Sequence, residues 1–475
     1  MLDPEQIMGV KSSARPLHKP KSLSPSITLL LIGLFLLSLI LILFHGFSSL
    51  SISSASWDFQ KWRSELGANN NDARDDLNSK LRDSVTFLPL KDLRFTKTAM
   101  EGNTWFMSSF NDTCEENESQ FLYFPSQASK GRLLCIKGHD QKDGTKNSYA
   151  LAWPQSLPNS TTVLKGLTFV SDTYYDYVNL WHGLSAMVPF VGWSMKNRCL
   201  KPTRWVLFHW GELRDKMGLW LQNLMEANLG KVLIEEMGKG EGPYCFEKAV
   251  VMRHNVGKMG KEKKRQVSDL LRCRARVFCG INPSGRGKEV GVSGEPIIRL
   301  TLLMRRGSRS FKDPTAVITI FARECALVDG CLLEVVQSED QSFCDQVRVM
   351  TNTDILASPH GAQLTNMLFM DRNSSIMEFF PKGWLELAGI GQYAHHWMAD
   401  QSGMKHRGAW WDPNAEEECP DPKQQLECFN FYKDGKVGHN ETYFAGWART
   451  VLNQVRISKQ QAMQSSQRYS NVCQC

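Results

Sequence analysis

Between Arg299 and Phe380 the chain alternates short apolar runs with segments of helical periodicity, and that pattern admits few folds. "RLTLLMRR" reads as a strand and "DPTAVITIFAREC" as a helix, with Asp313 as N-cap and Pro314 in the first turn. Strand "CLLEVV", helix "SFCDQVRVM", strand "DILASPH", helix "AQLTNMLF" and strand "SIMEFF" follow. Such alternation requires a parallel sheet covered by helices on both faces. A looser alternation precedes it: strand "TVLKGLTFV", the long helical stretch "YYDYVNLWHGLSAMVPFVGWSM", strand "RWVLFHW", helix "GLWLQNLMEANLG" and strands "KVLIEEM" and "CFEKAVVM". A basic segment from Lys258 to Arg276 and the glycine-rich "GINPSGRGKEVGVSGEP" separate the two halves. The expected α/β architecture is two facing Rossmann-like domains with parallel sheets, 105–285 and 286–438, and a cleft between them as the default site. Residues 439–475 supply a closing helix, Glu441–Met463, expected to pack back on the first domain, and a tail.

At 475 residues the chain is long enough for two domains, and its net charge of +7 is mild. Neither the charge nor any zinc-finger or RNP-type motif argues for nucleic acid. Ile27–Phe44, "ITLLLIGLFLLSLILILF", carries no charge, and extended to Phe47 it has the length of a transmembrane helix. Lys11, Arg15, Lys19 and Lys21 precede it, whereas the first charge after it is Asp58. Positive charge stays cytoplasmic, so the expectation is a cytosolic tail (1–26), an uncleaved anchor (27–47), a lumenal stem (48–104) with a short helix around Asp72–Asp83, and a lumenal body. Sequons at Asn111, Asn117, Asn159, Asn373 and Asn440 are spread through that body as candidate glycosylation sites. All thirteen cysteines follow the apolar run, consistent with an oxidising compartment. Cys419 with Cys428 and Cys114 with Cys135 are candidate local loops.

"SPHGAQLTNMLFM", Ser358–Met370, stands where a parallel sheet collects ligands, beyond the carboxyl end of a strand and at the start of a helix. His360 projects from the strand tip, Gly361 permits close backbone approach, and Thr365 and Asn366 sit a turn further on. The group reads as a cradle for a diphosphate, or as a capped turn whose histidine satisfies a carbonyl. The basic run "GKMGKEKKRQVSDLLRCRAR" reads as a solvated face or as a surface for an acidic polysaccharide. Trp410 and Trp411 read as buried or as an acceptor platform.

The same stretch, followed by "SSIMEFFPKGW", resembles the C-terminal signature of glycosyltransferase family 61. "LTLLMRRGSRSF" is similar to that family's strand ending in basic residues, and "YVNLWHG" to its Asn-x-x-His helix, with order and spacing in agreement over Thr162–Trp384. The resemblance implies a single-pass type II Golgi membrane enzyme of GT-B architecture. Such an enzyme inverts configuration while moving a sugar from a UDP-sugar to a polysaccharide or glycoprotein glycan. Xylose or arabinose is favoured as the donor sugar; the alternatives are an O-linked N-acetylglucosaminyltransferase of the family and a catalytically silent nucleotide-sugar binder. Carried over by position, His360 and Gly361 meet the diphosphate and Arg305 or Arg306 neutralises it, with Arg309 read as a surface neighbour. Glu378 accepts ribose hydroxyls (or pairs with Lys382), Asn366 lines the donor site, and Asn179 and His182 approach across the cleft. Family members carry an aspartate four residues after that histidine; here it is Ala186. The base is then open among His182, Asp172 and Asp176. Gln363 likewise departs from the family's glycine or aspartate. No Asp-x-Asp triplet is present, so no metal and no other cofactor is expected. Homo- or hetero-oligomers remain open.

Overall fold

The computed structural model describes residues 75–80, 85–89, 121–138, 146–172, 180–208, 219–234, 236–252, 259–282, 286, 289–384, 389–464 and 473. The expected anchor, its tail, most of the stem, and Asn111, Cys114, Asn117, Asp176 and Asn179 lie outside these, as do the side chains of Asp172 and His182. No helix among the described residues is long and apolar enough to cross a membrane. The chain divides into two units, Met1–Leu77 and Asn78–Cys475. Of the first only 75–77 are described, and they are helical.

The second unit contains two sheets. The first has strands β1 (Leu88–Pro89), β2 (Phe121–Phe124), β3 (Leu133–Lys137), β4 (Ser148–Ala152), β5 (Thr162–Asp172), β6 (Arg204–Phe208), β7 (Leu233–Ile234) and β8 (Tyr244–Met252). Their order is β1-β4-β3-β8-β5-β6-β7, with β2 also on β8. Strands β8, β5, β6 and β7 are mutually parallel, whereas β1 to β4 join antiparallel, so this sheet is mixed rather than wholly parallel as expected. The antiparallel part needs no helical crossover, and a cross-strand disulfide, Cys135–Cys245, fastens β3 to β8. Cys135 therefore does not pair with Cys114.

The second sheet is parallel throughout: β9 (Ile298–Met304), β10 (Cys331–Gln337), β11 (Ile355–Pro359), β12 (Ser375–Phe380) and β13 (Lys405–Trp411), in the order β10-β9-β11-β12-β13. The chain leaves β9 to one side for β10 and returns to the other for β11. The carboxyl ends of β9 and β11 therefore flank the switch point where such sheets bind ligands. The expected helices form. Asp313 Oδ1 accepts from Ala316 N at 2.8 Å to cap Pro314–Ala326, and Ser342 caps Phe343–Thr351. Ala362–Phe369 is a 3₁₀ helix rather than an α-helix. The closing helix Glu441–Gln464 packs through Phe444, Val451 and Leu452 against the second sheet and the Pro314–Ala326 helix, not against the first sheet. Its apolar stripe finds Phe321 and Phe379 already presented there.

The basic run is a solvated face only at its start, where Lys261, Glu262 and Gln266 are exposed. It is the Lys261–Phe278 helix, and Arg272 and Arg276 are buried on it. Arg272 Nε donates to the Leu368 carbonyl (3.1 Å) and Nη2 to that of Ser402 (3.1 Å), while Nη1 pairs with Asp269 at 2.6 Å. Arg276 Nη2 donates to the Phe369 carbonyl at 2.6 Å and pairs with Asp371 at 2.7 Å. These arginines satisfy the carbonyls left over where the 3₁₀ helix ends. One buried apolar cluster runs from Phe169 of β5 through Val267, Leu270 and Leu271 of this helix to Leu303 and Leu356 of the second sheet. Disulfides Cys279–Cys344 and Cys273–Cys473 fasten the helix at two further points, and Cys419–Cys428 closes its expected local loop. Replacing Arg276 by Met should lower unfolding stability by about 3 kcal/mol, because Asp371 and the Phe369 carbonyl lose a charged partner. A urea titration of the purified protein measures it.

Candidate functional site

Arg305 follows β9 and His360 follows β11, so the two residues stand on either side of the switch point. Arg305 Nη1 donates to the His360 carbonyl at 3.0 Å and lies 3.4 Å from Gln363 Oε1. Gly361 is extended there, and a Cβ on it would overlap Arg305 Nη1 and Gln363 Oε1. The glycine is required by close approach, not by backbone strain. Gln363 is held in place by its own amide, which donates to the Pro359 carbonyl at 2.8 Å.

Arg309, with positive φ, half-buried, lies over the Trp384 ring at 5.7 Å and 3.9 Å from Asp434. It is therefore part of the corner rather than a bystander. Burial first, and then the like charge of Arg309, push the Arg305 guanidinium down to about 10; burial also lowers Arg309, against the pull of Asp434. The Nε atoms of both arginines are buried without a hydrogen-bond partner. Two adjacent guanidinium groups left short of acceptors form a corner suited to an anion. Arg306, by contrast, points to the exposed side, where Asp340 binds it at 3.0 and 2.7 Å.

Glu378, the fourth residue of β12, is fully buried and cannot reach a ribose. Oε1 contacts His360 Nδ1 at 2.6 Å and His395 Nδ1 at 2.8 Å, and Oε2 contacts His406 Nε2 at 2.9 Å. Lys382 pairs with Glu418 at 2.9 Å instead. Burial alone would raise the carboxyl of Glu378, but the surrounding imidazoles outweigh it and hold the group well below the usual carboxylate range. Burial pushes His360 down to about 4, against the opposing pull of Glu378. An ionised carboxylate only accepts, so a neutral His360 carries its proton on Nδ1 and leaves Nε2 as an acceptor. In this tautomer the expected donation to a phosphate has no proton behind it. The His360 ring stacks on Phe380 at 4.6 Å and leans on Trp384 at 4.2 Å.

Asn366 is buried and fully engaged: Oδ1 accepts from Trp220 Nε1 at 2.8 Å, and Nδ2 donates to the Gln363 carbonyl at 3.0 Å. It ties the Leu219–Leu229 helix to the switch-point segment rather than lining a donor site. Trp411 stacks on Phe380 (5.5 Å, 8° between planes) and Trp410 packs on Tyr443 and Phe444, so both pack into the fold as partly buried residues. Asp172 ends β5, the strand beside β8 at the first sheet's own switch point, and His182 and Ala186 lie in the Leu180–Lys196 helix that follows. Asn159, Asn373 and Asn440 are exposed. A hollow of about 230 Å³ bounded by Lys382, Glu417, Tyr432 and Lys436 flanks the arginine corner without containing it. Another of about 250 Å³ opens at the amino edge of the strands, beside Asp354, whose carboxylate is already paired with Arg286 and Lys459.

Sequence reading missed His395 and His406. The window "YAHHWMADQSGMKHRG" held the signal, three histidines beside a buried strand, but nothing in it pointed to Glu378.

Strand-end arginines at a switch point, beside a glycine that only close approach explains, form a corner suited to an anionic group. The Glycosyltransferase 61 family model matches residues 171–377 of the chain, in agreement with the resemblance carried by its strand-end motifs. Among curated relatives, Protein O-linked-mannose beta-1,4-N-acetylglucosaminyltransferase 2 of Xenopus tropicalis is 32% identical over 120 residues, 22% of this chain and 21% of that protein. The protein of the same name in Canis lupus familiaris is 48% identical over 46 residues, 10% of this chain and 8% of that one, and in Homo sapiens 46% over 46 residues, with the same shares. The chain thus spans between 8% and 21% of these relatives' length.

Replacing Glu378 by Leu should strip the acceptor from three imidazole contacts at once and lower stability by about 3–5 kcal/mol, read as a shifted denaturation midpoint.

Proposed function

We propose that the protein is an inverting glycosyltransferase that binds the diphosphate of a UDP-sugar at Arg305 and Arg309 and passes the sugar to a glycan acceptor. The observation that carries this reading is the crowding of two guanidinium groups at the β9–β11 switch point, Arg305 and Arg309, whose buried Nε atoms make no hydrogen bond and of which only Arg309 has a carboxylate near it, Asp434 at 3.9 Å. A leaving UDP gains negative charge as the glycosidic bond breaks, and fixed cations there oppose that growth. Gly361 lets the Arg305 side chain lie against the backbone, which fixes its direction before the donor arrives. Asp172 and His182, by their backbone positions at the first sheet's carboxyl edge, are the candidates to take the acceptor's proton. The reading includes a GT-B arrangement with lobes 105–285 and 286–438, a type II Golgi anchor over 27–47, a lumenal body and a diphosphate bound without a bridging metal ion.

For the donor, the relatives' names favour N-acetylglucosamine over the xylose or arabinose expected from sequence. Ala186, in place of the family's aspartate, favours a second reading in which nucleotide sugar is bound without turnover. Incubation of the purified protein with UDP-N-acetylglucosamine, UDP-xylose and UDP-arabinose, with and without EDTA, separates these readings. Release of UDP from one donor supports the enzyme, and stoichiometric binding with no release from any of them rules it out.

Arg305→Ala and Arg309→Ala should each weaken UDP binding and turnover by at least about tenfold with the fold intact. Gly361→Ala should do the same by displacing the guanidinium, with little change in melting temperature, since the overlapped atoms are the far ends of side chains. Near-normal UDP affinity by calorimetry in all three would remove the arginine corner from the site.

A further inference from the structure

We propose that His360, Glu378 and His395 bind a divalent cation of the zinc type, with His406 steadying the carboxylate from its other oxygen. Their ligand atoms lie within 4.8 Å of one another, all three residues are buried, and they come from three separate elements that converge on one point. Two imidazoles and a carboxylate form a set that zinc accepts at about 2.0–2.2 Å per bond, leaving a fourth position for water or a ligand. His406 Nε2, 2.9 Å from Oε2, supplies the outer hydrogen bond that ligating carboxylates receive.

Charge points the same way. Glu378 is fully buried, and among the described residues its oxygens are met by imidazole nitrogens and by no lysine or arginine. A cation among the same ligands would cancel its charge.

The consequence for the switch point rests on the diphosphate reading above. With a cation on Nδ1, the His360 proton must reside on Nε2, which then becomes a donor beside Arg305 and Arg309. The ion would stand behind the imidazole and act by fixing its tautomer. It is distinct from a metal bridging the phosphates, for which the chain has no Asp-x-Asp triplet.

The test is metal analysis of the protein expressed in zinc-supplemented medium and purified without an immobilised-metal column. The expected result is one zinc per chain and, after chelator stripping and Co²⁺ addition, the visible absorption of a low-coordinate cobalt site. His395→Ala, with His395→Gln as a second variant should the first not fold, should reduce metal affinity by about 10–100-fold while circular dichroism stays native. Stripped protein should bind UDP at least about tenfold more weakly, with recovery on adding Zn²⁺. Arg305→Ala should keep the metal and lose UDP, so a failure of the diphosphate reading leaves the metal result standing. Wild-type protein with only trace zinc and no cobalt spectrum, or UDP affinity indifferent to metal removal, overturns the proposal.

Discussion

Two guanidinium groups reaching two backbone carbonyls hold this molecule's site in place. Arg272 and Arg276 occupy one flank of the Lys261–Phe278 helix, and the Leu368 and Phe369 carbonyls end the 3₁₀ segment that begins at Gly361. Helix ends buried without partners are costly, and neutral side chains could not reach both carbonyls and the carboxylates of Asp269 and Asp371 as well. Everything upstream in that segment, from Asn366 and its bond to Trp220 to the approach of Arg305 over Gly361, is measured from this anchored end.

The corner itself works by contrast between satisfied and unsatisfied charge. Arg306 is neutralised bidentately by Asp340, and Glu378 is enclosed by imidazoles. Arg305 and Arg309 are crowded together, each with a buried Nε that makes no hydrogen bond. Neighbouring residues of one short basic run thus acquire different chemistry from the side of the strand end on which each lies.

Much of this architecture was legible in the sequence because it follows from periodicity. The β9–β13 half reads as alternating strands and helices, the Asp313 cap sits where its residue type predicts, and "SPHGAQ" falls at a strand's carboxyl end. The antiparallel strands β1 to β4 were less legible, since short alternating runs carry no signal of pairing direction. The fate of the basic run was hidden for a different reason. A lysine- and arginine-rich helix looks solvated until its partners, carbonyls nearly a hundred residues away, are known. The role of Glu378 was misread, and His395 and His406 missed, for a like reason: a mid-strand carboxylate reads as a ligand contact unless three rings from other elements are seen to close over it.

The disulfide from Cys279 to Cys344 joins the end of the helix leaving the first sheet to a helix of the second, and Cys473 returns from the far terminus to Cys273 on that same helix. Staples at both places, on top of a shared apolar interior, resist hinge-like rotation of one sheet against the other.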